Sequence, residues 1–291
     1  SPGESAIAAA EALAELWVRQ AVPAGRRRAA FNLDPIGNLA RFGGAGEPLV
    51  AALDRAARFA SHPRWREGAI TVLSADGRPY HEAGGSEAQE LAALLATTVS
   101  YLRALEAVGV PPANALPRIE FALSADADLF LTIAKLRAAR RLIWRVADAA
   151  GAGLATGRIR LAVMSSARMM TRHDPWVNML RTCAAGMAAA MAGADSITIL
   201  PFTSALGRPD AFARRIARNT HVVLAEESGL GRVADPAGGA WYQEALTDEL
   251  ARKAWSEFQA IEAAGGMTAA LHAGFVQDRI AAVAADRAKA I

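Results

Sequence analysis

Six short runs rich in β-branched and apolar residues punctuate the chain, at 29–33, 69–74, 118–123, 158–163, 196–200 and 222–225. Each has the length of a buried strand and is too short for an ordinary helix. Between them lie longer segments whose apolar residues recur at helical spacing, at 47–60, 86–108, 127–150, 176–191 and 209–217. Strand and helix alternate, which predicts a parallel sheet, because returning to the same end of a sheet takes a helix-length connection. Local chemistry supports the boundaries. Ser86 with Gln89 forms a capping box, Gly109 with Pro111 and Pro112 stops the helix it starts, and Asp174-Pro175 reads as a cap followed by the first helical residue. One unpaired helix over 4–20 precedes the first strand, and two helical segments, 243–263 and 267–290, follow the last one with no strand between them.

A closed TIM barrel needs eight strand-helix units, and about six are visible. The expected architecture is therefore a TIM (β/α)8-type barrel, present in part over 1–242 with its N-terminal units missing, and a C-terminal helical segment over 243–291 leading out of it. A doubly wound open sheet is the alternative, but no G-x-G-x-x-G follows the first strand to support it. An opening at Ser1-Pro2-Gly3 without Met reads as a chain whose true start lies upstream.

Composition narrows the function classes. Hydrophobic residues make up 53% of 291, enough for a sizeable core, while charged residues make up 21% and nearly cancel at net +3. Arginine-rich spots such as Arg26, Arg27 and Arg28 are not interleaved with aromatics, so nucleic-acid binding is not expected. The longest apolar stretch, 183–194, is too short for a membrane span of about 20 residues. A single cysteine, Cys183, excludes an internal disulfide and suits a reducing cytoplasm. The five histidines, at 62, 81, 173, 221 and 272, show no close ligand pairing, so no metal site is expected. Neither a G-x-S-x-G elbow nor a Walker sequence occurs.

Candidate chemistry falls after the strands. Arg78-Pro79-Tyr80-His81-Glu82-Ala83-Gly84 follows the second run, where an imidazole beside a phenol and a carboxylate either donates a hydrogen bond to a substrate carbonyl or ties the loop. Glu226-Glu227-Ser228-Gly229 follows the sixth, and its paired carboxylates either bind ribose hydroxyls or cap the next segment.

From Thr171 to about Met267 the sequence resembles the methylmalonyl-CoA mutase family. The matching runs are Asp174-Pro175-Trp176-Val177-Asn178 with Arg181-Thr182, Ala205-Leu206-Gly207-Arg208-Pro209, Arg215-Ile216-Ala217-Arg218-Asn219-Thr220, Glu226-Glu227-Ser228-Gly229, Val233-Ala234-Asp235-Pro236-Ala237-Gly238-Gly239 and Gly265-Gly266-Met267. Ala134-Lys135-Leu136-Arg137-Ala138-Ala139-Arg140 and Tyr80-His81 extend the likeness over the last three quarters of the chain. The resemblance implies a TIM barrel that binds acyl-CoA, and an adenosylcobalamin-dependent rearrangement of methylmalonyl-CoA to succinyl-CoA. In its catalytic members a tyrosine steers radical formation and a histidine holds the thioester carbonyl, and Tyr80 and His81 match that pair. It also implies substrate or cofactor contacts at Asn32, Lys135, Glu226 and Glu227.

Departures from the catalytic pattern are just as specific. The pair is followed directly by Glu82-Ala83-Gly84, two residues shorter than the catalytic Met-Gln-Glu-Ala-Gly. Arg160-Leu161-Ala162-Val163-Met164-Ser165-Ser166-Ala167 stands where catalytic members carry Arg-Thr-His-x-Gln-Thr-Ser-Gly, and Ile199-Leu200-Pro201 replaces His-Thr-Asn. These losses resemble the small, non-catalytic subunit. That reading makes Tyr80 and His81 vestigial, gives the chain a catalytic large subunit as heterodimeric partner, and leaves adenosylcobalamin in the complex but not bound by this chain. Two other readings stay open: the substrate-binding barrel of a catalytic acyl-CoA mutase, and a stand-alone acyl-CoA binding protein.

Overall fold

The computed structural model describes residues 3–43, 47–153 and 159–289. Ser1 and Pro2, Arg158 at the start of the fourth expected strand, and Ala290 at the end of the last expected helix lie outside the described residues. Helix α1 (Gly3–Arg19) leads into β1 (Arg28–Leu33), which is followed by α2 (Pro35–Phe42) and α3 (Leu49–Ser61). Strand β2 (Ala69–Asp76) ends at the single turn of α4 (Arg78–Glu82), then come the long α5 (Glu87–Ala107) and the short α6 (Pro112–Ala115). Next are β3 (Ile119–Ala125) with α7 (Leu129–Ala149), β4 (Leu161–Ser165) with α8 (Val177–Met191), and β5 (Ser196–Thr198) with α9 (Ala211–Val222). Helices α10 (Trp241–Ala263), α11 (Gly266–His272) and α12 (Phe275–Lys289) complete the described chain.

The strands lie side by side in chain order, each parallel to the next, as a curled half-barrel. Register explains its two faces. Ala75 pairs with Phe121 and Phe121 with Leu161, and this row, with Leu73, Ile119, Leu123 and Val163, is buried beneath the helices, α5 and α8 among them. Each large side chain so buried stabilises the fold by roughly 1.5–3 kcal/mol. The alternate row runs through Ala162 and Met164, which are half-buried, to Ser196 and Thr198, which are exposed. Helix α10 lies across α5 and α7, and α11 also rests on α5.

Sequence chemistry accounts for several starts. Ser86 accepts from Gln89 N while Gln89 Oε1 accepts from Ser86 N, the expected capping box. Ser86→Ala is expected to lower stability by about 1 kcal/mol, measured as a shift of the urea midpoint at constant m. An unmoved midpoint would mean that the close approach of α12 at Gly84, where an added Cβ would stand 2.7 Å from Ala284 Cβ, sets the helix start instead.

Three expectations are corrected. The run 222–225 is no strand: α9 continues into a π-helical turn, Val223–Glu227, with Val222 and Val223 exposed, so a four-residue β-branched run was only the end of a helix. Asp174-Pro175 does not start α8. Asp174 sits at φ 47, and Asn178 ties the preceding turn by accepting from Thr171 N and donating to the carbonyls of Thr171 and Phe202, so the helix begins at Val177. The segment 267–290 is two helices, parted at Gly274, which takes φ 74.

Candidate functional site

The turn of α4 sits directly on the end of β2. Asp76, the last residue of the strand, accepts from Arg78 N at 2.9 Å, Arg78 Nε at 2.8 Å and Arg78 Nη2 at 2.7 Å, and Arg41 of α2 donates to it as well. Pro79 stands in the first turn of α4, where no intrahelical N–H is needed. This places Tyr80 and His81 inward, 3% and 0% exposed.

His81 is enclosed by groups from three other segments. Its Nε2 lies 2.8 Å from Ser166 Oγ, beyond the end of β4, and 3.7 Å from Asp126 Oδ2, beyond the end of β3. Nδ1 lies 3.3 Å from Glu90 Oε2 of α5, within ion-pairing distance but off the line of a hydrogen bond. Glu90 also takes Lys135 Nζ of α7 at 2.6 Å and Ser124 N at 2.7 Å, and both Glu90 and Lys135 are fully buried. Burial alone would raise the Glu90 carboxyl, but the Lys135 ammonium and His81 outweigh it and hold Glu90 down at about 2. Glu90 is therefore ionised throughout the neutral range.

The turn around His81 is pinned from outside. Arg168 Nη1 donates to the carbonyls of His81 and Gly85 at 2.8 and 2.9 Å, Arg287 of α12 donates to those of Gly84 and Gly85, and Glu82 Oε1 accepts from Ala167 N. Beside it lies a second buried carboxyl. Asp34 caps α2 by accepting from Gly37 N at 2.9 Å, and it accepts from the Tyr101 hydroxyl as well. Burial first, then the nearby Asp76, push Asp34 up to about 7 against the pull of those two hydrogen bonds and of Arg41. Burial and Asp34 likewise lift the phenols of Tyr80 and Tyr101 above the ordinary range, and the Tyr80 hydroxyl has no hydrogen-bond partner among the described residues.

The residues singled out in the sequence are thus spread across the fold. His81 and Lys135 share one buried network through Glu90, while Tyr80 is buried next to His81 in the chain with its hydroxyl outside that network. Asn32 lies exposed at φ 53 in the irregular end of β1, and Glu226 and Glu227 are exposed on the π-helical turn after α9. Ser166, Glu90, Asp126, Asp34 and Arg168 were not foreseen as site residues. Ser166 and its neighbour Ser165, whose Oγ accepts from Leu200 N at 2.8 Å, tie the end of β4 to His81 and to the segment after β5. Among the described residues no group of three or more His, Cys, Asp and Glu is placed to hold a metal ion.

Parallel α/β chains of this class carry their sites across the C-terminal ends of the strands, where the Tyr80-His81 turn lies. The family model for methylmalonyl-CoA mutase matches residues 5–291. A methylmalonyl-CoA mutase small subunit from Streptomyces virginiae is 51% identical over 287 residues, which is 99% of this chain and 46% of that protein. One from Propionibacterium freudenreichii subsp. shermanii is 44% identical over 97% of this chain and 44% of its own length. A probable small subunit from Mycobacterium bovis is 45% identical over 83% of this chain and 38% of its own length. The chain belongs to the methylmalonyl-CoA mutase family, and it spans less than half the length of these relatives.

Proposed function

We propose that this chain is the barrel portion of a non-catalytic small subunit, which supports a catalytic large subunit in a complex converting methylmalonyl-CoA to succinyl-CoA in the cytoplasm. One observation carries the reading. His81 is fully buried, with Nε2 against Ser166 Oγ and Nδ1 facing Glu90, so the imidazole is used inside the protein. Tyr80 is buried beside it. A histidine that held a thioester carbonyl would need a ring nitrogen turned to the substrate. The family implies adenosylcobalamin. The strand ends of this chain do not fit that cofactor, because the Tyr80-His81 pair is enclosed and the end of β5 offers Ile199, Leu200 and Pro201 in place of polar side chains. The sequential parallel order, with the Ser196–Thr198 strand open at one edge, supports reading the half-barrel as an arc of a (β/α)8 barrel. On that reading 1–242 belong to the barrel and 243–291 lead out of it. No single helix among the described residues is long and apolar enough to cross a membrane.

The test is co-purification with a catalytic mutase chain, followed by an adenosylcobalamin-dependent isomerase assay. The chain alone should show no turnover, and the complex carrying Tyr80→Phe and His81→Ala together should turn over at the wild-type rate. A collapse of the rate while size-exclusion shows an intact complex would place chemistry at this pair and return the chain to the catalytic reading.

A further inference from the structure

Helix α12 ends on the turn that carries Tyr80 and His81. Its Arg287 Nη1 donates to the carbonyls of Gly84 and Gly85 at 3.1 and 3.2 Å, and Nη2 lies 3.6 Å from Glu87 Oε2 at the start of α5. Three residues earlier, Ala284 lies so close to Gly84 that a Cβ added there would stand 2.7 Å from the Ala284 Cβ, and Gly84 takes φ 102, a conformation open to glycine. From the other side Arg168 Nη1 donates to the carbonyls of His81 and Gly85 at 2.8 and 2.9 Å, and its Nη2 reaches Glu87 Oε1 at 3.4 Å. Two arginines thus share the Gly85 carbonyl and the Glu87 carboxylate, and one of them belongs to α12. We infer that α12 is a releasable latch on the Tyr80-His81 turn: docked, it holds the turn closed at Gly84 and Gly85; lifted, it leaves the turn to Arg168 and frees Gly84 as a hinge.

The two sides of this contact differ in how firmly they are built. The turn rests on buried side chains, Tyr80 and His81, with His81 Nε2 on Ser166 Oγ. Of the 15 residues of α12, only Val276 and Ile280 are buried, both in its first two turns. Its further ties are polar and near the surface: Gln89 Nε2 donates to the Arg279 carbonyl at 3.0 Å, and Arg279 Nη2 lies 2.6 Å from Glu257 Oε2. The Arg287 side chain is 39% exposed, so water can replace its bonds. Elements with few buried apolar side chains and solvent-facing hydrogen bonds open first under native conditions, at a free energy well below that of global unfolding. What remains after such an opening is a defined structure, because Arg168 keeps the His81 and Gly85 carbonyls and Glu82 keeps Ala167 N. A two-state element of this kind carries an event at α12 to the backbone of His81. The latch acts on the turn whether or not His81 takes part in chemistry.

Backbone hydrogen exchange, followed residue by residue by NMR on the whole chain, tests the latch. The amides of Gly84 and Gly85, which donate to the carbonyls of His81 and Tyr80, should exchange in step with those of Val283 and Ala284 in α12, and well ahead of Phe121 and Leu123 in β3. Ile280→Ala loosens α12 from within. It should speed the Gly84 and Gly85 amides together with those of α12 by about tenfold or more, the scale of one lost buried isoleucine, with the β3 amides unchanged. Arg287→Ala keeps the buried contacts of α12 and removes the clasp, so it should speed Gly84 and Gly85 severalfold and leave the Ile280 amide as it was. Acceleration confined to α12 in Ile280→Ala would make the helix a passive cover, and acceleration that extends to β3 would place its opening within global unfolding. No acceleration at all would mean that α12 does not open by itself. Each of these results overturns the latch, as does an unchanged turn in Arg287→Ala.

Discussion

Lys135→Met is expected to destabilise the fold by ~3–5 kcal/mol, the largest single-residue effect anticipated outside the core, because it leaves the Glu90 carboxylate buried without its cation. Lys135 Nζ lies 2.6 Å from Glu90 Oε2, and neither side chain reaches solvent. Removing the ammonium also removes the main attraction that holds Glu90 ionised, so the carboxyl must take up a proton or remain as an uncompensated charge. Urea unfolding at pH 7 measures the loss. Adding Glu90→Gln should recover about half of it, since the amide oxygen can still accept from Ser124 N while carrying no charge. A loss below ~1 kcal/mol for the single variant would show that water or His81 compensates the carboxylate.

What the sequence made legible was the part that periodicity controls. Five runs of β-branched and apolar residues became strands in the expected parallel order, and the Ser86 capping box sits where its spacing put it. The sixth run failed for a physical reason: four residues are too few to separate strand from helix, and Val222 and Val223 end a helix whose earlier turns carry the amphipathic pattern. The Asp-Pro signal was read at Asp174-Pro175, yet the structure uses it at Asp34-Pro35, where Asp34 Oδ1 accepts from Gly37 N and Pro35 opens a two-turn helix too short to show a period of its own. Tyr80 and His81 were found as a pair, but not their surroundings. Ser166 is 85 residues away and meets the imidazole only because β2, β3 and β4 are neighbours in the sheet, while Glu90, nine residues away, meets it because the start of α5 packs on α4. A serine next to a strand end carries no mark in the sequence of which side chain it will face.

Asp34 provides the second large effect, and it runs opposite to the usual acid sensitivity of proteins. Burial and Asp76 raise its carboxyl from the ordinary 3.8 to about 7, so the folded chain keeps a proton that the unfolded chain has already released. The stability this contributes is fully present below about 3.8 and is lost as pH climbs to about 7, a swing on the order of 4 kcal/mol at 1.36 kcal/mol per unit. Glu90 has the contrary dependence: lowered from 4.5 to about 2, it stabilises the fold above 4.5 and loses that contribution only as the solution becomes strongly acidic. Between about pH 5 and pH 8 the Asp34 contribution therefore stands apart from that of Glu90, and Asp34→Asn isolates it. The asparagine oxygen can still accept from Gly37 N and from the Tyr101 hydroxyl, and its nitrogen replaces Oδ2, which has no partner to lose. Wild-type stability, followed by urea midpoints at half-unit steps of pH, should fall by roughly 2–4 kcal/mol across this window relative to the variant, whose own curve lacks that descent. The two curves should cross, with the variant the more stable at pH 8. Parallel curves would mean that Asp34 is already ionised at pH 5, and that Arg41 and the two hydrogen bonds at Oδ1 outweigh its burial.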